Sequence, residues 1–271
     1  MARIGFIGAG MMAEAIMSGM LSGGFSASDI EGADPDVRRG EYIAKKYGVR
    51  ISTDNREPAA RCDVLLMAVK PQYFPGVVQS LSPALSPGHR IVSIMAGVTT
   101  DTIEKELRCH AEPDRILPVV RVMPNTPAMV RAGITCVCAG KTAAEQDVEF
   151  AKKIFLTVGS VVDVDERLMD AATGVAGCGP AYIYMVIEAL ADGGVMMGLP
   201  RGLSQKLAAG MVKGAAEMVL ADMGHPGQLK DNVCSPGGAT IEGVYTLERA
   251  GLRGAYMEAV KAGTEKCGNI K

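Results

Sequence analysis

The chain has 271 residues, a formal net charge of −2 and 48% hydrophobic residues, and it contains no tryptophan. That is enough to bury a large core in one or two domains, and the near balance of charge excludes a polycation built for nucleic acid or for an anionic membrane surface. Seven cysteines and three histidines are scattered without a C-x-x-C pair or a histidine cluster, so neither a disulfide framework nor a metal site organises the chain.

Cys136 and Cys138 fall on one face of a predicted strand and read as buried free thiols. The longest apolar runs, such as 182–190, are broken by Glu188 and fall short of the ~20 residues a membrane helix needs, so no membrane partner is expected. Met1 leads almost directly into the first strand, which leaves no room for a leader and gives a cytoplasmic location as the expectation.

In chain order, residues 4–7 predict a buried strand, 8–10 a glycine turn, and the apolar positions 12, 15, 16, 19 and 20 a helix. Gly8-Ala9-Gly10-Met11-Met12-Ala13 is thus a G-x-G-x-x-A motif in strand, turn and helix context. Gly8 would allow the tight turn, Gly10 the approach of a diphosphate, and Ala13 close packing of helix on strand. The diphosphate would lie on the free N–H groups of the helix start. A glycine turn can also be purely structural, but this placement favours a dinucleotide.

A second strand is predicted at 29–34 and a helix at 35–47, stopped by Gly48. Further strands follow at 62–69, 90–94, 116–122 and 134–138, then a helix over about 143–157 and a last strand at 160–163. Continuous apolar strands separated by helical stretches imply a parallel, doubly wound sheet. Beyond 165 only helical patterns remain, at 181–197, 203–220, 240–249 and 253–266. The expected fold is therefore α/β: a doubly wound Rossmann-type domain over 1–164, followed by an all-helical domain over 165–271.

Pro180 and Gly198 suit the two ends of the helix at 181–197, which is apolar nearly all round and is expected to be buried on every side. A domain of about 100 residues cannot easily supply that cover alone. A helical homodimer interface is the expectation.

Ligands of doubly wound sheets lie beyond the carboxyl ends of the strands. Those ends are Gly8-Ala9-Gly10, Asp34-Pro35, Val69-Lys70-Pro71, Met95-Ala96-Gly97 and Met123-Pro124-Asn125-Thr126-Pro127. The candidate cofactor residues are Ile7, Gly8, Gly10, Met11, Met12, Asp34, Arg38, Arg39, Asn55, Ala68, Val69, Lys70, Pro71, Ala96, Gly97 and Asn125. Asp34 would accept from a free ribose 2′-hydroxyl, whereas Arg38 and Arg39 could pair with a 2′-phosphate, so NADH and NADPH both stay open. A second candidate is the loop 231–240, where Gly237, Gly238 and Ala239 offer backbone N–H groups to a carboxylate and Ser235 and Thr240 add hydroxyls. A capped helix after a loop would read the same way.

Several stretches together resemble pyrroline-5-carboxylate reductases over essentially the whole chain. They are 5–13, Ala68-Val69-Lys70-Pro71, Ala96-Gly97-Val98, 121–127, Gly179-Pro180-Ala181-Tyr182, 189–195, 225–231 and, most specifically, Ser235-Pro236-Gly237-Gly238-Ala239-Thr240-Ile241. The resemblance implies reduction of L-1-pyrroline-5-carboxylate to L-proline, the last step of proline biosynthesis. It implies NADPH or NADH as coenzyme, NADPH somewhat ahead, and a helical domain that dimerises and often builds rings of ten. It further implies a carboxylate held by Ser235, Gly237, Gly238 and Ala239, Thr240 as the catalytic residue near the ring nitrogen, and active sites at the dimer interface.

Two departures stand out: Cys178 where the family commonly has serine, and Asp34 where it often has a neutral or polar residue. The alternatives are a related imine or hydroxyacid reductase, or a non-catalytic NAD(P)-binding sensor. A hydroxyacid dehydrogenase of this build needs a lysine in the first long helix of its second domain, and none occurs between Gly177 and Met197.

Overall fold

The structure is a computed structural model that describes residues 2–110 and 117–269. Its first strand, β1 (Ile4–Ile7), is buried throughout and alternates its side chains between two cores. Ile4 and Phe6 join a cluster with Ile16, Met20 and Phe155, while Ile7 joins one with Phe74, Val78 and Ile91. This is why the run is apolar at every position: both faces are covered.

Helix α1 (Met11–Ser22) follows, then β2 (Ile30–Ala33), α2 (Val37–Tyr47), β3 (Arg50–Ser52) and α3 (Arg56–Ala59). β4 (Val64–Met67), α4 (Phe74–Leu81), β5 (Arg90–Ser93), α5 (Thr100–His110) and β6 (Val119–Met123) continue the winding. β7 (Gly133–Ala139), α6 (Glu145–Phe155), β8 (Gly159–Asp163) and the short α7 (Met169–Ala172) complete the α/β part. The strands form one eight-stranded sheet in the order β3-β2-β1-β4-β5-β6-β7-β8.

Local chemistry sets the boundaries. α2 begins two residues later than the sequence pattern suggests, because the Asp36 carboxylate accepts from the N–H groups of Arg38 and Arg39 and so occupies the N-cap. It stops at Gly48, whose φ of +69° is left-handed. β3 was not anticipated: three residues on the sheet edge carry no apolar run to detect. The predicted strand at 116–122 is observed as β6, and its first residue, Ile116, lies outside the described residues.

The sheet also departs from the expected all-parallel arrangement. β7 pairs antiparallel with β6, then parallel with β8. Residues 124–132 between β6 and β7 form only a tight 3₁₀ turn, too short for the crossover that a parallel return requires.

The chain divides into two compact units, the first running to Cys178 and resuming from Ala262, the second spanning Gly179–Lys261. The second contains α8 (Gly179–Met196), α9 (Arg201–Leu220), α10 (Pro226–Val233), α11 (Ala239–Arg249) and the start of α12 (Leu252–Gly268). α10 lies outside the predicted helices, and its last residues, 231–233, overlap the predicted loop 231–240. Its N-cap is the unexpected His225, whose Nδ1 accepts from Gly227 N.

α8 and α9 approach closely because residue 194 is glycine. A Cβ there would lie 2.1 Å from Ser204 Oγ, which donates to Ala191 O. α8 ends as predicted at Gly198 (φ +96°), with Leu199 N returning to Gly194 O. The expected burial of α8 on every side is not met within one chain. Ala191 is its one buried residue, while Met185 is 70% and Met196 85% exposed.

The expectation about apolar length also needs correction. The continuous helical run Glu166–Met196 holds an 18-residue window of mean hydropathy 1.3, long and apolar enough to cross a membrane by length and composition. Only 11% of that window is buried in the single chain.

One buried charge ties the sheet to the start of that run. Arg121 on β6 is 2% exposed and donates to Glu166 Oε1 (2.6 Å) and Asp170 Oδ1 (3.2 Å). Burial alone would raise the Glu166 pKa, but hydrogen bonds from Arg121, Cys138 and Thr100 outweigh it and hold the carboxyl below its ordinary value. Cys138, donating to the same carboxylate, is pushed up to about 12 by burial and by Glu166, so it stays a thiol.

Arg121→Met should destabilise the protein by about 3 kcal/mol, the lower end for a broken buried pair because both carboxylates can turn to water. Stability contributed by ionised Glu166 is complete above the ordinary value of 4.5 and disappears as pH falls through the lowered folded value. Glu166→Gln should therefore flatten the acid limb of a urea-midpoint profile below pH 4.5, and an unchanged limb would contradict the assignment.

Candidate functional site

The strand order reverses between β1 and β4, and the glycine motif sits at the carboxyl end of that boundary. Gly8 has φ +95°, and a Cβ there would meet Ala68 O at 2.7 Å, so only glycine fits between the two strand ends. Gly10 differs. Its backbone is extended, and a Cβ there would find nothing within 4 Å. The absence of a side chain at residue 10 is thus not required by the fold, and the open space lies at the N-cap of α1.

No side chain caps α1. The N–H groups of its first turn are left for solvent or a ligand, and the helix dipole makes an anion the favoured one. A cleft of about 330 Å³ opens there, lined by Gly10, Met11, Met12 and Ala13, by Ala68, Val69, Lys70 and Pro71 after β4, by Ile94, Met95 and Ala96 after β5, and by Met123 and Pro124 after β6. Eight of the predicted cofactor residues therefore share one cleft: Gly10, Met11, Met12, Ala68, Val69, Lys70, Pro71 and Ala96. Lys70 is exposed at its rim. Gly8 and Ile7 shape the turn beneath it, and Gly97, at φ +72°, turns the chain after β5.

The glycine turn is fastened to the end of β2. Gly8 N donates to Ala33 O (2.8 Å) and Ala9 N to Asp34 Oδ2 (2.8 Å), while Asp34 Oδ1 accepts from Asp36 N. Arg39 closes the other side, donating from Nε to Ala9 O (2.6 Å) and from Nη2 to Gly10 O and Glu14 Oε2. Glu14 also accepts from Lys46, Tyr42 and Tyr47. Burial would raise the Glu14 carboxyl, but Lys46, Arg39 and Tyr47 together lower it to about 2, so it remains an anion that holds Arg39 in place.

No sequence signal pointed to Glu14. Its partners come from α2, some 25 to 33 residues away, and only the fold unites them.

Other predicted residues are placed differently. Asn125 is buried, donating to Ala176 O and accepting from Ile134 N, so both ends of its carboxamide are bonded within the fold. Asn55 donates to Ser80 Oγ after β3. The Arg38 side chain is exposed and has no partner among the described residues. Asp34 lines a separate hollow of about 150 Å³ with Val37, Glu41, Ser52 and Thr53.

The second unit carries the other candidate. Ser235-Pro236-Gly237-Gly238 is a tight turn in which Gly238 N donates to Ser235 O (3.0 Å), with proline in the second place and Gly237 at φ +64° in the third. That is the requirement of a type II turn. The turn delivers Gly238 as the N-cap of α11, again with no side-chain cap, and Ser235 Oγ lies against it, 2.2 Å from where a Cβ would stand. Ser235, Gly237, Ala239 and Thr240 are exposed around this helix start and Gly238 is half-buried. The five predicted substrate residues, Ser235, Gly237, Gly238, Ala239 and Thr240, thus share this helix start. No group of three or more metal-ligating side chains occurs among the described residues.

Two family models match the chain: pyrroline-5-carboxylate reductase dimerisation over residues 166–270, and NADP oxidoreductase, coenzyme F420-dependent, over residues 3–97. A pyrroline-5-carboxylate reductase of Synechocystis is 46% identical, covering 96% of this chain and 95% of that protein. The structure of a pyrroline-5-carboxylate reductase from Coxiella burnetii superposes with a TM-score of 0.89 at 33% identity, covering 100% of this chain and 98% of that one. The Plasmodium falciparum pyrroline carboxylate reductase, solved with NADP bound, gives 0.87 at 33% identity over 99% and 97% of the two chains. With the glycine motif, the uncapped α11 turn and these full-length likenesses together, the chain belongs to the pyrroline-5-carboxylate reductase family.

Proposed function

We propose that this chain reduces L-1-pyrroline-5-carboxylate to L-proline with NAD(P)H, by hydride transfer to the imine carbon. The observation that carries the reading is the 235–238 turn opening an uncapped α11, in a chain whose relatives of that name match it over 96% of its length.

The residues present fit a dinucleotide. Open space at residue 10 and the free first turn of α1 suit a diphosphate, and Lys70 supplies a cation at the rim of the same cleft. When bound, the reduced nicotinamide supplies the hydride. The substrate carboxylate is taken by the N–H groups that open α11, with the Ser235 hydroxyl beside them. Thr240 then hydrogen-bonds the ring nitrogen and orients its proton. A protonated cyclic imine is already electrophilic, so the residues contribute position and electrostatics, and holding reactants in register is worth several kcal/mol. No lysine stands on α8 to relay a proton to an alcohol, which favours imine over hydroxyacid chemistry.

In this reading the apolar side chains exposed on α8 and α9 are covered by a second copy of the chain, and dimers assemble into a ring of ten in the cytoplasm. The long apolar run Glu166–Met196 supports protein rather than lipid as its cover, because it falls within the 166–270 match to the dimerisation model.

Three outcomes test this. Gly10→Ala should change the stability read from urea unfolding by no more than about 1 kcal/mol, since the fold has room for the methyl group, yet weaken dinucleotide binding at least tenfold in a calorimetric titration. Thr240→Ala should lower kcat for pyrroline-5-carboxylate reduction at least tenfold with coenzyme Kd unchanged; undiminished turnover would remove Thr240 from the mechanism. Sedimentation at micromolar concentration should find no stable monomer, and a monomer there would refute the covered α8 face.

A further inference from the structure

Accepting that the first unit binds a nicotinamide dinucleotide, as proposed above, we infer that this chain selects NADH over NADPH, and that Asp34 is the residue that does so. The argument concerns what surrounds the end of β2. Asp34 follows the last residue of that strand, and its carboxylate is pinned by Ala9 N (2.8 Å) and Asp36 N (2.9 Å). It is therefore held as an acceptor against the very loop that would cradle the diphosphate. A fixed carboxylate in that position suits a ribose 2′-hydroxyl, which can donate, and repels a 2′-phosphate, which cannot donate and is doubly charged near neutral pH.

The neighbouring charges reinforce this. Glu41 lines the same hollow as Asp34 and has no ion-pair partner among the described residues. Asp36 turns its Oδ1 to the N–H groups of Arg38 and Arg39, and its negative charge stays beside Asp34.

Of the two arginines that could answer a phosphate, Arg39 is committed. Its Nε donates to Ala9 O and its Nη2 to Gly10 O and Glu14, so its charge is met by an adjacent ionised carboxylate. Arg38 alone remains open to solvent. One exposed guanidinium against the carboxylates of Asp34, Asp36 and Glu41 is the wrong balance for a 2′-phosphate. Recruiting Arg39 instead would mean breaking its bonds to the glycine loop and leaving Glu14 with Lys46 and the two tyrosines alone.

The inference is read by binding rather than turnover. The full-length protein is titrated calorimetrically with NADH and with NADPH, and the same is done for Asp34→Ser and Asp34→Asn. The wild type should bind NADH at least tenfold more tightly than NADPH. Asp34→Ser should bring the two dissociation constants within about threefold, by weakening NADH and strengthening NADPH. Asp34→Asn keeps the shape and, with its amide oxygen, the acceptor for Ala9 N while giving up the one for Asp36 N, so it should retain the fold and still gain affinity for NADPH.

Equal affinities or tighter NADPH in the wild type would overturn the inference while leaving the reductase reading intact. Unchanged ratios in both variants would remove Asp34 from the selection. If a cooperatively folded wild type bound neither coenzyme, the dinucleotide reading would fail and this inference with it.

Discussion

The dinucleotide half of this chain depends on how three residues, Gly8, Ala9 and Gly10, are fastened between strands. Their backbone groups are met from both sides, by Ala33 O and the Asp34 carboxylate at the end of β2 and by the Arg39 guanidinium from α2. Because those partners satisfy the outward-facing groups of the loop, the first N–H groups of α1 can be left bare. Exposed helix starts are common, but one held rigid by neighbours is preorganised, and that reduces the ordering cost of binding. The same fastening fixes the charges around the loop. Asp34 and Arg39 are structural in the free protein, so whatever they do to a ligand is decided before the ligand arrives.

Much of this was legible in the sequence because it is local. Buried strands announce themselves as apolar runs, Gly48 and Gly198 as helix stops, and the G-x-G-x-x-A pattern as a turn, since each needs only neighbouring residues to be recognised. What could not be read is set by distance along the chain. Glu14 looks like an ordinary surface glutamate until α2 brings Arg39, Lys46 and Tyr47 to it. Asn125, which sits at a strand end like the residues that line the cleft, is bonded to Ala176 and Ile134. The antiparallel β7 followed from a connection too short to cross over, a fact about nine residues that the strand pattern alone does not reveal. Arg121 reads as a polar interruption in a strand, and only the carboxylates of Glu166 and Asp170 explain its burial.

The second unit exposes a different limit. That α8 is apolar on all faces is plain in its sequence, and from this its complete burial was inferred; one chain leaves most of it open. Amphipathicity arguments assume that the partner of an apolar face lies in the same chain. Here the physical pattern is sound and the assumption is not. Contiguous exposure of this extent is unstable in water, and its cost is of the kind that association removes.

The helix starts carry the last step. Some helix starts take an oxygen or nitrogen from a nearby side chain: Asp36 for α2, His225 for α10, and Asp147 reaching back to Ala144 N at the start of α6. At α1 and α11 the chain places glycine at the N-cap and no side-chain acceptor. Serine, aspartate or asparagine there would stabilise each helix by roughly a few tenths of a kcal/mol over glycine. Other helix starts, α4 and α9 among them, also lack a side-chain cap, but Tyr73 and Pro200 stand at their N-caps; at α1 and α11 glycine leaves the first-turn N–H groups open to an anion. A diphosphate and a carboxylate are the two anionic groups that the proposed reaction brings in, one on the coenzyme and one on the substrate. In that proposed reaction each helix start would gain its anionic partner from one reactant, which would couple the stability of that start to occupancy.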